Sequence, residues 1–335
     1  MTEIYIISGF LGAGKTTLIQ KLLKEAFRNE KIVLIENDFG EISVDAALLK
    51  SGGVEVRAIS SGCICCSLSG DFVKAVKEIL ERFQPDKIII EPSGVGKLSD
   101  IIRACEDPKI QPHVKVKSRI TVVDANRCES YLENFGEFFE DQIENAEVIL
   151  LSRTADHPDK TNAAINLIED LNAHAVILSK PWDRIAADEI LFPHRNLHGH
   201  KEHSTHSAGC ECGRCSAHGH GDHEHRHDHD HNHDGYEHHH DHTAEEIFDT
   251  VTIRTNREFT NEELKKFIDR LERELPGTVL RAKGILRGAN GHLELQYLPG
   301  DLKIRSCGIA GNMLNIIGRD LNRQELIELF SRENL

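Results

Sequence analysis

Lys15 and Thr16 close the octapeptide GFLGAGKT at 9–16, which fits the pattern G-x-x-x-x-G-K-[ST] between an apolar strand-like run and a helix-patterned segment. Gly9, Gly12, Ala13 and Gly14 let backbone N–H groups close around phosphate oxygens, and the following helix start, which includes Thr17, adds its partial positive charge. In that pattern Lys15 reaches the β- and γ-phosphates and the Thr16 hydroxyl ligates Mg²⁺. A second acidic position and a γ-phosphate sensor are then required. The segment KIIIEPSG at 87–94 offers both: Glu91 ends an apolar run, where it could act on Mg²⁺ directly or through water, and Gly94 lies three residues later with a backbone N–H. A strand-ending glutamate and a turn glycine are the bland alternative.

Thiols form a second constellation. Cys63, Cys65 and Cys66 stand in GCICC at 62–66, between a strand-like run and a helix-patterned one. Cys63 and Cys66 have C-x-x-C spacing, and thiolates suit Zn²⁺, Cu⁺ or iron–sulfur chemistry. Buried apolar cysteines or a redox pair are the competing readings. ENDFGE at 36–41 follows the second strand-like run, so Glu36 and Glu41 could add oxygen ligands, organise Mg²⁺ and water, or simply be solvated. A third constellation lies mid-chain, where 17 of the 21 histidines fall between His194 and His242. His223, His225, His227 and His229 alternate with acidic and basic residues, and Cys210, Cys212 and Cys215 add C-x-C-x-x-C spacing. Neutral imidazoles bind Zn²⁺, Ni²⁺ and Cu²⁺, and without a fixed cage such a tract reads as a reservoir of low discrimination. Cys105, Cys128 and Cys307, the isolated His113, His157, His174 and His292, and Trp182 read as structural.

The elements that must position these groups follow from periodicity. Apolar Ile- and Val-rich runs at 3–8, 31–36, 54–59, 87–91, 119–124, 148–152 and 175–179 read as strands, several without polar alternation. Segments 15–27, 68–83 and 161–171 carry apolar residues at helical spacing. The fold class expected is α/β: a mostly parallel sheet with helices on both faces, as in P-loop NTPases, plus a smaller α+β domain. The domains read as 1–192, then a His/Cys-rich insert at 193–243 with little to bury, then 244–335. In the last, 248–254, 278–286 and 292–298 read as strands, and 262–275 and 324–330 as helices.

Composition narrows the class. A net charge of −15 argues against nucleic acid or an anionic membrane as partner and is compatible with binding cations. No apolar run is long enough to cross a bilayer, and the N-terminus lacks the features of a signal peptide, so the expected location is cytoplasmic. Nine cysteines, six of them in two tight clusters, then read as metal or redox groups before disulfides.

The combination GFLGAGKTT at 9–17, ENDFGE at 36–41, GCICC at 62–66, EPSG at 91–94 and VVDA at 122–125 resembles the CobW-like metallochaperone GTPases. These are relatives of the hydrogenase and urease nickel-insertion GTPases. The segment 316–326 looks like that family's closing part, so the resemblance covers nearly the whole chain. It implies GTP hydrolysis, with low intrinsic activity, coupled to delivery of a transition metal to a client metalloprotein. Zinc is the metal most implied, with cobalt or nickel as alternatives. The resemblance carries over Lys15 and Thr16 as phosphate and Mg²⁺ contacts, Cys63, Cys65 and Cys66 as the internal metal motif, and Glu41 with Glu36 as switch acids. One departure stands out. The family's guanine-reading N-K-x-D is replaced by SRTAD at 152–156, where Arg153 could stack on a purine and Asp156 reach its edge. Two other functions fit the motifs: metal storage with a regulatory nucleotide domain, or maturation of one metalloenzyme, such as a nitrile hydratase or a cobalamin-pathway enzyme.

Overall fold

The computed structural model describes residues 1–28, 30–36, 55–58, 68–155, 158–193, 244–274 and 276–331. The amino-terminal part runs β1 (Thr2–Gly9), α1 (Lys15–Glu25), β2 (Ile32–Glu36), β3 (Glu55–Ala58), α2 (Leu68–Phe83), β4 (Lys87–Glu91) and α3 (Leu98–Cys105). It continues with β5 (Val114–Asp124), α4 (Cys128–Glu144), β6 (Val148–Ser152), α5 (Pro158–Leu171), β7 (Val176–Leu178) and α6 (Ala187–Leu191). Its seven strands form one sheet in the order β3-β2-β4-β1-β5-β6-β7, with every described pairing parallel.

Parallel strands joined by helical crossovers are covered on both faces, which explains their unbroken apolar runs. In β4, Ile88 and Ile90 enter a core shared with α2, α3, α4 and α5, while Ile89 enters the opposite core with Leu18, Ile19 and Leu22 of α1. All three isoleucines are fully buried. The carboxyl ends of the strands therefore lie along one edge, the place where ligands bind in such sheets. Neither α3 nor α4 is foreseen by periodicity. α4 is interrupted at Phe135, whose backbone is not helical, and Phe135 stacks on Phe10 with ring centres 5.2 Å apart.

The carboxyl-terminal part comprises α7 (Ala244–Ile247), β8 (Asp249–Arg254), β9 (Glu258–Phe259), α8 (Asn261–Arg273), β10 (Thr278–Gly288), β11 (Gly291–Leu298), β12 (Asp301–Cys307), β13 (Met313–Arg319) and α9 (Arg323–Ser331). Its six-stranded sheet has the order β12-β11-β10-β13-β8, with β9 beside β10. The main path is antiparallel. One face packs Ala282, Leu295, Leu314 and Ile316 against Leu264, Phe267 and Ile268 of α8 and Leu326, Leu329 and Phe330 of α9. Thr260 starts α8 with a reciprocal capping box to Glu263. On the other face, Leu280, Leu298 and Ile317 join the core of the amino-terminal sheet, so the two sheets are packed together. Among the described residues, no helix is long and apolar enough to cross a membrane.

Candidate functional site

The loop between β1 and α1 turns sharply. Gly14 caps α1 with φ 115°, a left-handed conformation that glycine adopts without strain. The Lys15 ammonium folds into the loop, donating to the carbonyl oxygens of Gly9 at 2.9 Å and Phe10 at 3.4 Å. Only 7% of Lys15 is exposed, so this charge is held inside the concavity that the pattern reserves for phosphates. Behind the loop, Tyr131 of α4 donates to the Leu11 carbonyl at 3.2 Å, and burial raises the titration of its phenol.

A cavity of about 350 Å³ opens over this loop, lined by Gly12, Gly14, Lys15, Thr16 and Thr17 together with Glu36, Glu91 and Gly94. The register explains why: Glu36 and Glu91 are direct neighbours at the carboxyl ends of β2 and β4. Sequence spacing placed one in a switch and the other at a strand end; the sheet brings both to the loop. Gly94 lies against Leu11 so closely that a Cβ there would stand 2.7 Å from its side chain. The Gly94 and Gly96 carbonyls accept from Gln142 of α4 at 3.4 Å and 2.8 Å, which pins the loop after β4.

Arg153 follows β6 with φ 58°. Its guanidinium pairs with the buried Asp124 at the end of β5 and donates to the Gly12 carbonyl at 3.2 Å. The backbone N–H of Asn126 donates to Asp124 at 3.0 Å, and Arg127 stands 3.6 Å from the same carboxylate. Asp124 of VVDA thus anchors Arg153, which in turn holds the phosphate loop at Gly12. Arg153, expected from sequence to stack on a purine, lines the cavity edge, with its guanidinium engaged by Asp124 and Gly12. A second concavity of about 350 Å³ is lined by Ala13, Gly14, Thr17, Ser152, Arg153, Thr154, Ala155, Pro181 and Trp182. Trp182, read as packing from sequence, is a wall of this concavity, held by an indole N–H donated to the Leu151 carbonyl at 2.7 Å. Its position three residues beyond the strand-like run at 175–179 was the available signal.

Of the remaining expected ligands, Glu41, Cys63, Cys65, Cys66, Asp156, Cys210, Cys212, Cys215, His223, His225, His227 and His229 lie outside the described residues. Among the described residues, no group of three or more His, Cys, Asp or Glu side chains is placed to hold a metal ion. Cys105 and Cys128 are buried, and burial pushes both thiols up to about 12, so neither offers a thiolate at neutral pH.

A parallel sheet whose first strand runs through a glycine-rich loop and a buried lysine into a helix defines a P-loop nucleotide-binding protein. Residues 3–179 match the family described as CobW/HypB/UreG, nucleotide-binding domain, and residues 248–333 match the cobalamin synthesis protein cobW C-terminal domain. The chain belongs to the CobW/HypB/UreG family. It is 28% identical over 198 residues to the zinc chaperone YeiR of Escherichia coli K12, covering 59% of this chain and 60% of that one. It is 37% identical over 177 residues to a zinc chaperone CobW of Sinorhizobium, covering 44% of this chain and 50% of the relative. With the zinc-regulated GTPase metalloprotein activator 1 of Schizosaccharomyces pombe it shares 27% identity over 159 residues, 45% of this chain and 38% of the relative. The chain thus spans between about two fifths and three fifths of the length of these relatives.

Proposed function

We propose that the chain is a GTP-hydrolysing metallochaperone that takes a transition metal, zinc by preference, as cargo and releases it to a client protein according to the nucleotide bound. The observation that carries this reading is the single cavity that gathers Lys15 and Thr16 with Glu36 and Glu91 at the carboxyl edge of the sheet. β3, which pairs with β2 along that edge, ends at Ala58, a few residues before GCICC. In sequence, GCICC thus follows the strand that neighbours the one ending in Glu36. The relatives named as zinc chaperones and zinc-regulated GTPases support the choice of metal.

In this reading the loop amides and Lys15 hold the phosphates, and Gly94 offers its N–H to the third phosphate. The hydroxyl of Thr16 and the carboxylates of Glu36 and Glu91 are hard oxygen donors in one cavity, a set that fits Mg²⁺, which would supply charge neutralisation between phosphates. Hydrolysis breaks the bond between the β–γ bridging oxygen and the γ-phosphorus, with water as nucleophile and GDP and phosphate as products. Arg153 acts as a strut between Asp124 and the phosphate loop, and Trp182 forms a wall for the base. Cys63, Cys65 and Cys66, with Glu41, bind the cargo, while the His/Cys-rich segment, including Cys210 and His223, serves as a reservoir of it.

Coupling of cargo to nucleotide requires little energy, since a tenfold change in affinity corresponds to about 1.4 kcal/mol. The test is a zinc competition titration of the anaerobic full chain with Mg²⁺ and either GDP or a non-hydrolysable GTP analogue. The triple variant C63A/C65A/C66A serves as the reference for the weaker sites. The tightest site should differ at least tenfold between nucleotides and vanish in the triple variant. Equal affinities in the two nucleotide states would remove the coupling.

A further inference from the structure

The cavity over the phosphate loop has a second wall, and that wall belongs to the carboxyl-terminal sheet. Arg281 and Lys283 of β10, Glu294 and Gln296 of β11, and Lys303 and Arg305 of β12 line it together with Lys15 and Thr16. Register explains the grouping. Lys283 pairs with Gln296, which pairs with Lys303, and Glu294 pairs with Arg305. Directly opposed residues project from the same face of a sheet. Their sequence neighbours Ala282, Leu295, Tyr297, Leu302 and Ile304 belong to the opposite, helix-backed face. The wall sits close to the loop: a Cβ on Gly12 would stand 2.3 Å from the Leu298 side chain, and Arg127 donates to the Pro299 carbonyl at 2.9 Å.

Charge distinguishes this cavity from the rest of the molecule. Among the described residues, six cations line it (Lys15, Arg153, Arg281, Lys283, Lys303 and Arg305) with the carboxylates of Glu36, Glu91 and Glu294, while Arg153 and Lys303 are also paired with Asp124 and Asp301. The whole chain carries a net charge of −15, so the excess is local. Lys283 is only 8% exposed, and in a partly dry concavity the attraction between such groups and a multivalent anion is stronger than in open solvent.

We propose that the carboxyl-terminal sheet completes the nucleotide site in cis, with Lys283, Lys303 and Arg305 reading the terminal phosphate of a nucleoside triphosphate. This rests on the reading of the loop as a GTP site and adds to it the residues that separate triphosphate from diphosphate. The phosphate loop and Lys15 grip whatever phosphates are present. The basic wall lines the same cavity as Glu91 and Gly94, the residues assigned above to Mg²⁺ and the third phosphate. Docking of the carboxyl-terminal domain on the nucleotide is then tighter with GTP than with GDP, which gives that domain a means of sensing hydrolysis.

The full chain carrying K303Q/R305Q tests this, because both side chains are exposed and neither contributes to the core. K283Q serves as an independent second variant. Affinities for GDP and for a non-hydrolysable GTP analogue are measured with Mg²⁺ at fixed ionic strength, and thermal unfolding without nucleotide reports on folding. The expected result is an analogue affinity about tenfold weaker, GDP affinity changed less than twofold, and unaltered melting. Unchanged affinities in both variants, or an equal loss for GDP and the analogue, would overturn the assignment while leaving the GTP site intact. A wild-type chain that bound neither nucleotide would overturn the reading of the site itself.

Discussion

The two sheets of this protein bury themselves in different ways, and their chemistry is distributed accordingly. In β4, Ile88, Ile89 and Ile90 are all fully buried because helices cover both faces. Such a strand has no side chain to spare, and its functional groups stand at its end, as Glu91 does. In β12, Leu302 and Ile304 pack on the helix-backed core while Lys303 and Arg305, alternating with them, face the cavity. A sheet covered by its own helices on one face can present charge along the length of its strands. The amino-terminal part therefore offers a row of loops to a ligand, and the carboxyl-terminal part offers a surface.

The largest effect that would sharpen this contrast comes from truncating neighbouring residues. Ile89→Ala and Ile90→Ala should each cost about 3–4 kcal/mol, because each empties a filled core on its own side of the sheet. In β12, Ile304→Ala should cost about 1–2 kcal/mol and Lys303→Ala no more than about 0.5 kcal/mol. Urea unfolding midpoints measure all four. Equal costs at 303 and 304 would mean that the basic face is part of a core, and the contrast would break.

Next in size is the contribution of the loop against that of the surface. Lys15→Ala should weaken GTP binding at least a hundredfold, about 2.7 kcal/mol, as read by titration with a fluorescent analogue. Retention of affinity would mean that the basic wall, not the loop, holds the phosphates.

The same contrast explains what was legible in the sequence. Strands buried on both faces, such as β2, β4 and β6, announce themselves as unbroken apolar runs, and all seven strands of the amino-terminal sheet overlap the segments expected, although β5 begins at Val114 and not at 119. Its first half alternates Val114-Lys115-Val116-Lys117, a weaker signal than the run that follows. α4 escaped because Gly136 and the kink at Phe135 interrupt its period. β12 and β13 escaped for the opposite reason, since Lys303, Arg305 and Asn315 dilute their apolar pattern. The site divides along the same line. Lys15, Thr16 and Glu91 stand in local motifs and could be named. The pairing of Glu36 with Glu91, the capture of Arg153 by Asp124 and the basic wall depend on contacts between residues far apart in the chain.

A smaller effect concerns the helix that backs the one-sided sheet. Thr260 accepts from the Glu263 N–H at 3.2 Å, and the Glu263 carboxylate accepts from the Thr260 N–H at 2.8 Å. Thr260→Ala should cost about 1 kcal/mol. Because Leu264, Phe267, Ile268 and Leu271 of that helix fill the core opposite the basic wall, the loss should appear in unfolding midpoints and leave GDP affinity unchanged.

The smallest effect is a titration that compares the two sheets away from bound nucleotide. Glu3, at the amino end of β1, stands 2.8 Å from Lys87 of β4 and 3.0 Å from Lys117 of β5, and accepts from Tyr5 at 3.0 Å. The hydrogen bond from Lys87, foremost among these, holds its carboxyl down to about 2 from an ordinary 4.5. A folded value below the unfolded one means that the contribution is complete above about pH 4.5 and is lost as pH falls towards about 2. With the Glu3 side chain 30% exposed, solvent screening limits the gain to below about 1 kcal/mol. Asp301 of β12 is also held down, chiefly by its hydrogen bond to Lys303 at 2.8 Å, but it ties two positions of one strand and not three strands. The stability difference between wild type and Glu3→Gln should therefore shrink between pH 5 and pH 2, and that for Asp301→Asn should be smaller throughout. A larger acid sensitivity at Asp301 would mean that its carboxylate is coupled to the rest of the basic cavity, through Arg127 and Arg153 on the amino-terminal side, more strongly than Glu3 is to its own sheet.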